Sequence, residues 1–239
     1  MYFFDLILYF AAYSFLGWLM ETIYASMIEK KFINRGFLFG PFCPIYGFGA
    51  ILTIFCFGFT SGIFENVITV YLFGILILIV LASALEYITG FALEKIFNCK
   101  WWDYSENAFN LHGYICLKYS LLWGGLAFLM IQVVHPEIVK LFFFIPLKVK
   151  MYFSIILILY FFVDTIKSIL AMVDLRKVIL KYSNFPVNKY MEKIIKYQRV
   201  FLAFPRLLLL NAGIGERDIR GVLNGRINKI KVKIKNRHN

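Results

Sequence analysis

The chain has 239 residues, 61% of them hydrophobic and 19% aromatic, while only 17% are charged. Soluble domains average about 45–50% apolar and about 25% charged. One or two soluble domains of this length cannot bury so much apolar surface, so a soluble enzyme, a disordered chain and a fibrous repeat are excluded and an integral membrane protein remains. The net charge of +12 is unusual in such a composition, and its location matters.

Several chemistries are missing from the sequence. There is no G-x-x-x-x-G-K-[ST] stretch, so the chain carries no ATP-binding P-loop of its own. There is no G-x-S-x-G serine elbow. His112, His135 and His238 form no clustered metal set, and Cys43, Cys56, Cys99 and Cys116 form no C-x-x-C pair. The cysteines read as buried small hydrophobes. We expect no enzyme and no cofactor or metal.

A helix needs about 20 apolar residues to cross the hydrocarbon. The first candidate runs from Tyr2 to Met27, with Asp5 near one end and Glu21 near the other. It lacks the basic start of a cleavable signal and is expected to stay as a span. The second, Cys43 to Phe64, is uncharged. The third runs from Val67 to about Phe97, and the fourth spans His112 to Val134 with Lys118 inside. Ile138 to Val149 is apolar but short and broken by Pro146, which predicts an interfacial or re-entrant segment. The fifth span runs from Met151 to Val173 and contains Asp164 and Lys167. The expected fold is therefore all-α: a polytopic bundle of about five transmembrane helices over residues 1–174, with a basic tail over 175–239.

Five spans place the two ends on opposite sides. Lys and Arg mark the cytoplasmic side. Of the 26 basic residues, 21 follow spans one, three and five, and 16 of those lie in the tail. This predicts an external N-terminus and a cytoplasmic C-terminus. Residues 1–174 hold 10 basic and 11 acidic residues, so the positive charge belongs to the tail.

Spans one and three resemble each other. Glu21 is followed by Glu29 and Lys30 at the same offsets at which Glu86 is followed by Glu94 and Lys95. Arg35-Gly36-Phe37-Leu38 echoes His112-Gly113-Tyr114-Ile115, and Gly36 leads to Gly47 as Gly113 leads to Gly124. The second copy carries an insertion, Asn98 to Phe109. The pattern predicts a parallel helix-pair repeat of the kind used by some transporters.

Glu21, Glu86, Lys118, Asp164 and Lys167 fall inside the predicted spans. At about 1.5 Å per residue each lies roughly 9–15 Å deep from the basic side. Charges there are expensive and face a bundle interior or a wet cavity. They can line a polar pocket for an ion or small solute, or act as ion-pair glue. Asp164 and Lys167 share a helical face and can pair. Lys118 can pair with Glu21 or Glu86, or snorkel to the headgroups.

The stretch from Asn34 to Gly49 holds four glycines and two prolines at a membrane boundary. Asn34, Arg35, Gly36, Pro41, Pro44, Tyr46 and Gly47 are its candidate site residues, in a tight turn or a re-entrant loop whose irregular backbone needs protein or water partners. Trp101 and Trp102, with Asp103 beside them, fit an interfacial aromatic belt.

In the tail, Val187 to Phe204 has the spacing of a basic amphipathic helix, and Lys229 to Lys235 alternates Lys with Ile and Val. Such a tail suits the lipid bilayer surface, above all anionic lipid headgroups. A soluble partner ranks second and nucleic acid is unlikely as the anion, since the tail is tethered beside a membrane.

Gly17-Trp18…Glu21, Asn34-Arg35-Gly36-Phe37-Leu38…Gly40-Pro41…Cys43-Pro44-Ile45-Tyr46-Gly47, Leu85-Glu86-Tyr87…Gly90…Leu93-Glu94, Trp101-Trp102-Asp103-Tyr104-Ser105 and Phe109-Asn110…Gly113-Tyr114-Ile115…Leu117…Ser120…Trp123-Gly124 stand together in one order. Over roughly residues 10–175 this resembles the bacterial family named putative ABC-transporter type IV. The resemblance implies a multi-span inner-membrane protein, permease-like, with any ATPase on a separate subunit. The competing expectation is a non-transporting scaffold or regulatory subunit that docks lipid or a soluble partner through its tail.

Overall fold

The computed structural model describes residues 3–97, 99–182, 196–204 and 208–209. In chain order they form α1 (Phe3–Glu29), α2 (Pro44–Ile63), α3 (Val67–Phe97), β1 (Cys99–Lys100), β2 (Asn110–Leu111), β3 (Ile115–Cys116), α4 (Leu117–Leu129), a π-helical turn (Met130–Val134), α5 (His135–Phe143), α6 (Leu147–Tyr182), α7 (Gln198–Ala203) and β4 (Leu208–Leu209). Five helices are long and apolar enough to cross a membrane: Phe3–Glu29, Pro44–Ile63, Val67–Phe97, Leu117–Phe143 and Leu147–Val178. The all-α membrane bundle is the observed fold.

Local chemistry sets the helix ends. Glu29 is followed by Lys30 in the left-handed region, φ 51°, which stops α1. Pro44 opens α2, where a missing N–H costs nothing. Ahead of it, the Cys43 amide donates to the Ser14 carbonyl of α1 at 2.9 Å. Asn66 caps α3 by accepting from the Ile68 amide at 2.9 Å.

The fourth span differs from its expected form. Leu117–Phe143 is one continuous rod, and Ile138–Phe143 belongs to it rather than to a re-entrant segment. Pro136 removes a backbone donor and crowds the preceding turn. The π turn at Met130–Val134 widens the helix immediately before it and lets the rod continue. Val134 is thus not the end of the span. Pro146 lies in the short connection to α6, which starts at Leu147 rather than Met151 and runs on to Tyr182.

Helix α1 packs against both α2 and α6, α2 against α3, and α3 against α4. Leu8, Ala11 and Leu157 form one buried cluster, and Tyr9, Tyr13 and Ala50 another. The Tyr13 hydroxyl meets His135 Nδ1 at 2.9 Å, tying α1 to the start of α5. Outward-facing Phe55, Phe59, Leu72, Leu76, Ile156 and Phe162 are exposed, as lipid contact requires. At one end of the bundle Lys150 Nζ reaches Asp5 Oδ1 at 2.7 Å, joining the starts of α1 and α6. The start of α1 and the far end of α6 therefore lie at opposite ends. That far end carries a layer of loops: 30–43, 99–116 with the β2–β3 hairpin, and the docked segment 196–204. Residues 187–195 and 229–235 lie outside the described residues. Of the amphipathic helix expected over Val187 to Phe204, α7 is the described part.

The helix-pair repeat has structural counterparts. The register that sets Glu21 on Glu86 and Gly47 on Gly124 also sets Ser14 on Ile79, Thr22 on Tyr87, Arg35 on His112 and Tyr46 on Trp123. Gly47 packs on Ser14, and Gly124 packs on Ile79. The Arg35 amide donates to Thr22 Oγ1 at 3.4 Å, and His112 Nδ1 meets the Tyr87 hydroxyl at 3.2 Å. A Cβ on Gly47 would sit 2.3 Å from Ser14 Oγ and 2.7 Å from the Phe10 carbonyl. On Gly124 it would sit 2.2 Å from Ile79 Cγ1 and 3.0 Å from Ile79 Cα. Backbone atoms cannot move aside at either place. Gly47→Ala and Gly124→Ala are each expected to cost about 1–3 kcal/mol by overpacking. Thermal unfolding in one detergent should show similar losses for both.

Candidate functional site

Two carboxylates at equivalent places in the repeat have different surroundings. Glu21, in the last third of α1, receives Arg35 Nε at 3.0 Å and the Tyr46 hydroxyl at 2.6 Å. Gly17 makes room for this: a Cβ there would lie 2.2 Å from the Tyr46 ring. Arg35 also donates through Nη1 to the Ala203 carbonyl of α7. Glu21 is therefore paired, and its cation ties α1, the loop and the tail segment together.

Glu86, in α3, is 8% exposed and has no cation beside it among the described residues. His112, which stands where Arg35 does, turns to Tyr87 instead. The inserted segment supplies Tyr104, whose hydroxyl donates to Glu86 Oε1 at 3.0 Å. Burial, and then the facing carboxylate, hold the Tyr104 phenol well above its ordinary pKa, so it remains a donor. Trp123 lies close to the same carboxylate, and Tyr119 stacks on Tyr104 with ring centroids 4.7 Å apart. The first half thus compensates its carboxylate with a guanidinium, while the second offers only neutral donors, the Tyr104 hydroxyl and the Trp123 indole.

The third acid, Asp164 of α6, is 6% exposed. It does not pair with Lys167. Its oxygens accept from the Phe39 amide at 3.0 Å, the Gly40 amide at 2.9 Å and the Tyr160 hydroxyl at 3.3 Å. Spacing along α6 brought Lys167 onto its face, but the loop brings two backbone donors to the buried carboxylate, and the cation that acts on it is Arg199 of the tail segment rather than Lys167. Lys167 is exposed, with no ion-pair partner among the described residues. Lys118 is likewise exposed in the first turn of α4, over the Tyr119 ring at 5.8 Å, and reaches neither Glu21 nor Glu86. Of the five intramembrane candidates, only the three acids are gathered inside.

The loop candidates form a closed network. Asn34 Oδ1 accepts from the Trp18 indole at 2.8 Å and from the Gly36 amide at 3.0 Å, while its Nδ2 donates to the Phe39 carbonyl at 2.9 Å. Gly36 lies against the Phe42 carbonyl and Gly40 against Tyr160, leaving no space for a side chain. Pro41 leads into Cys43, whose burial pushes its thiol up to about 12. Pro44 and Gly47 start α2. The loop folds back as a plug beside Glu21 and Asp164, and its backbone is satisfied by protein, as a membrane boundary demands.

The insertion is packed inward rather than spread as a belt. Trp101 is 4% exposed and contacts Phe37, Phe97 and Phe204. Trp102 donates to the Tyr114 carbonyl at 2.8 Å. Asp103 holds Lys100 at 3.4 Å and the Ser105 amide and hydroxyl, fixing the turn. Gly113, φ 73°, faces Asp103 Oδ1 where a Cβ would stand 2.3 Å away. Sequence reading missed Tyr104 as the partner of Glu86 and Arg199 as the residue that grips the loop. Only their place in a short insertion and in a basic tail marked them. No group of His, Cys, Asp and Glu suited to a metal is present among the described residues.

A repeated helix pair, a carboxylate in each copy and a glycine-rich loop closing over them coincide with a family match over residues 8–169, to the family described as Putative ABC-transporter type IV. The chain belongs to that family. It is a multi-pass membrane protein. No curated protein and no solved structure matches it.

Proposed function

We propose that the chain is a permease-like, non-enzymatic component of a transport system in the bacterial inner membrane, working with an ATPase on a separate subunit. In this reading the N-terminus is external, the C-terminus is cytoplasmic, and anionic lipid headgroups meet the basic tail. The family membership supports the transport class, and the charge asymmetry supports the orientation.

The observation that carries the reading is Glu86. A carboxylate buried in a span without a cation is expensive and marks a site rather than a fastener. Its counterpart Glu21 shows what it lacks: a guanidinium beside the phenol. Glu86, Tyr104 and Trp123 then form the part of the polar path that a cation, or a donor group on the solute, would engage. Glu21 and Asp164 hold the loop beside it, and Lys118 and Lys167 lie outside the path.

Affinity purification from native membranes tests the reading. An ATPase subunit should co-elute, and Glu86→Gln should keep that assembly while removing flux. Repeated recovery of an intact five-span protein with no ATPase would count against it. A second reading, a regulatory subunit or scaffold acting through the tail, is favoured by two contacts: Arg35 donates to the Ala203 carbonyl, and Arg199 to the Leu38 carbonyl, binding the tail segment to the loop. Deleting residues 205–239 would then lose a partner while leaving flux intact.

A further inference from the structure

The loop between α1 and α2 turns three consecutive carbonyls onto one group. Those of Gly36, Phe37 and Leu38 accept from the Arg199 guanidinium at 3.3, 3.0 and 2.6 Å. The guanidinium carbon also stands over the Phe39 ring, 4.5 Å from its centroid. The next two loop amides, of Phe39 and Gly40, hold Asp164, whose charge acts on Arg199. Carbonyl oxygens, an aromatic ring and a carboxylate thus converge on one position, and each of them favours a cation.

The loop's own contacts shape this cradle. Asn34 brackets the three carbonyls: its Oδ1 accepts from the Gly36 amide at 3.0 Å, and its Nδ2 donates to the Phe39 carbonyl at 2.9 Å. Trp18 of α1 holds Asn34 in turn at 2.8 Å. Gly36 lies where a Cβ would stand 2.9 Å from the Phe42 carbonyl, so the turn has one way to close. None of these contacts involves Arg199. That residue comes from the tail segment, in the six-residue α7, and is only half-buried, so the cradle is not sealed inside the bundle. The geometry also names the cation. Arg199 Nη1 serves Gly36 and Leu38 while Nη2 serves Phe37, and the carbon between them stands over the ring. A planar fork of donors meets all of these at once, and a spherical ion or an ammonium does not.

We propose that this cradle is a guanidinium site in its own right, which holds Arg199 of the chain's own tail as a tethered ligand and takes a small guanidinium-bearing solute when that side chain is withdrawn. The site stands apart from Glu86 and does not rest on the transport reading. A tether keeps its ligand at an effective concentration on the order of millimolar. The tail is therefore an internal competitor for the site, and a solute enters only as the tail leaves.

The test uses the full chain in maltoside micelles, as wild type and as Arg199→Ala. Guanidinium chloride is titrated through the low millimolar range, far below denaturing levels, with sodium and potassium chloride at matched ionic strength as controls. Unfolding temperature and cleavage after Lys196 by a lysine-specific protease are read. Arg199→Ala should unfold several degrees below the wild type and be cut faster. Guanidinium should reverse both changes saturably, which is opposite in sign to its action as a denaturant. The wild type should not respond over the same range, because its site is filled. If Arg199→Ala does not survive purification in sodium chloride, guanidinium present from extraction onward should yield folded protein and potassium should not. No recovery with guanidinium, an equal recovery with potassium, or an equal gain in the wild type would overturn the site and leave Arg199 as a fastener only.

Discussion

Asp164→Ala is expected to be among the most damaging single substitutions in the bundle. The carboxylate is the acceptor for two backbone amides, Phe39 and Gly40, in a loop that cannot find water at that depth. Each orphaned buried donor costs about 1–3 kcal/mol, so the pair costs about 4 kcal/mol. Asp164→Asn should lose less, because the amide oxygen still accepts from one of them. A fluorescence-detected unfolding series should rank wild type above Asn and Asn above Ala. If Asp164→Ala unfolded with the wild type, the loop would have to be held some other way.

Arg35→Ala should come close behind, with a second readout. It removes the cation beside Glu21 and the donor to the Ala203 carbonyl. Breaking a buried pair from one side costs about 3–5 kcal/mol. Here the side chains are 27% and 32% exposed, which lowers the expectation to about 2–3 kcal/mol. Adding Glu21→Gln should recover part of the loss, because the stranded charge is then gone. Loosening of segment 196–204 should also appear as faster proteolysis after Lys196 or Arg199. Recovery in the double variant separates charge compensation from simple loss of packing.

Both predictions concern contacts that sequence could not supply. The spans themselves were legible, because long apolar windows leave the backbone no alternative to a helix. The repeat was legible in Glu21 and Glu86 and in Gly47 and Gly124, since spacing survives where identity does not. The end of span four was misread. Pro136 and Pro146 look alike as interruptions, yet a π turn absorbs the first and a connection uses the second. Spacing also put Asp164 and Lys167 on one face, but spacing is silent about which loop folds over that face. Tyr104 and Arg199 come from segments far from Glu86 and Gly36 along the chain. Their roles depend on a tertiary approach that no local pattern encodes.

On the proposed function, the two copies of the helix pair differ in purpose: Glu21 is fastened by a built-in guanidinium, and Glu86 is left open for work. Thermal unfolding of Glu21→Gln and Glu86→Gln, side by side in the same nanodiscs, tests it most directly. Glu21→Gln should lose several degrees, because Arg35 is stranded. Glu86→Gln should unfold within about a degree of the wild type or above it, because an uncompensated buried charge is removed while the Tyr104 hydrogen bond is kept. A loss at Glu86→Gln as large as that at Glu21→Gln would make both carboxylates structural and rule out a working role for Glu86.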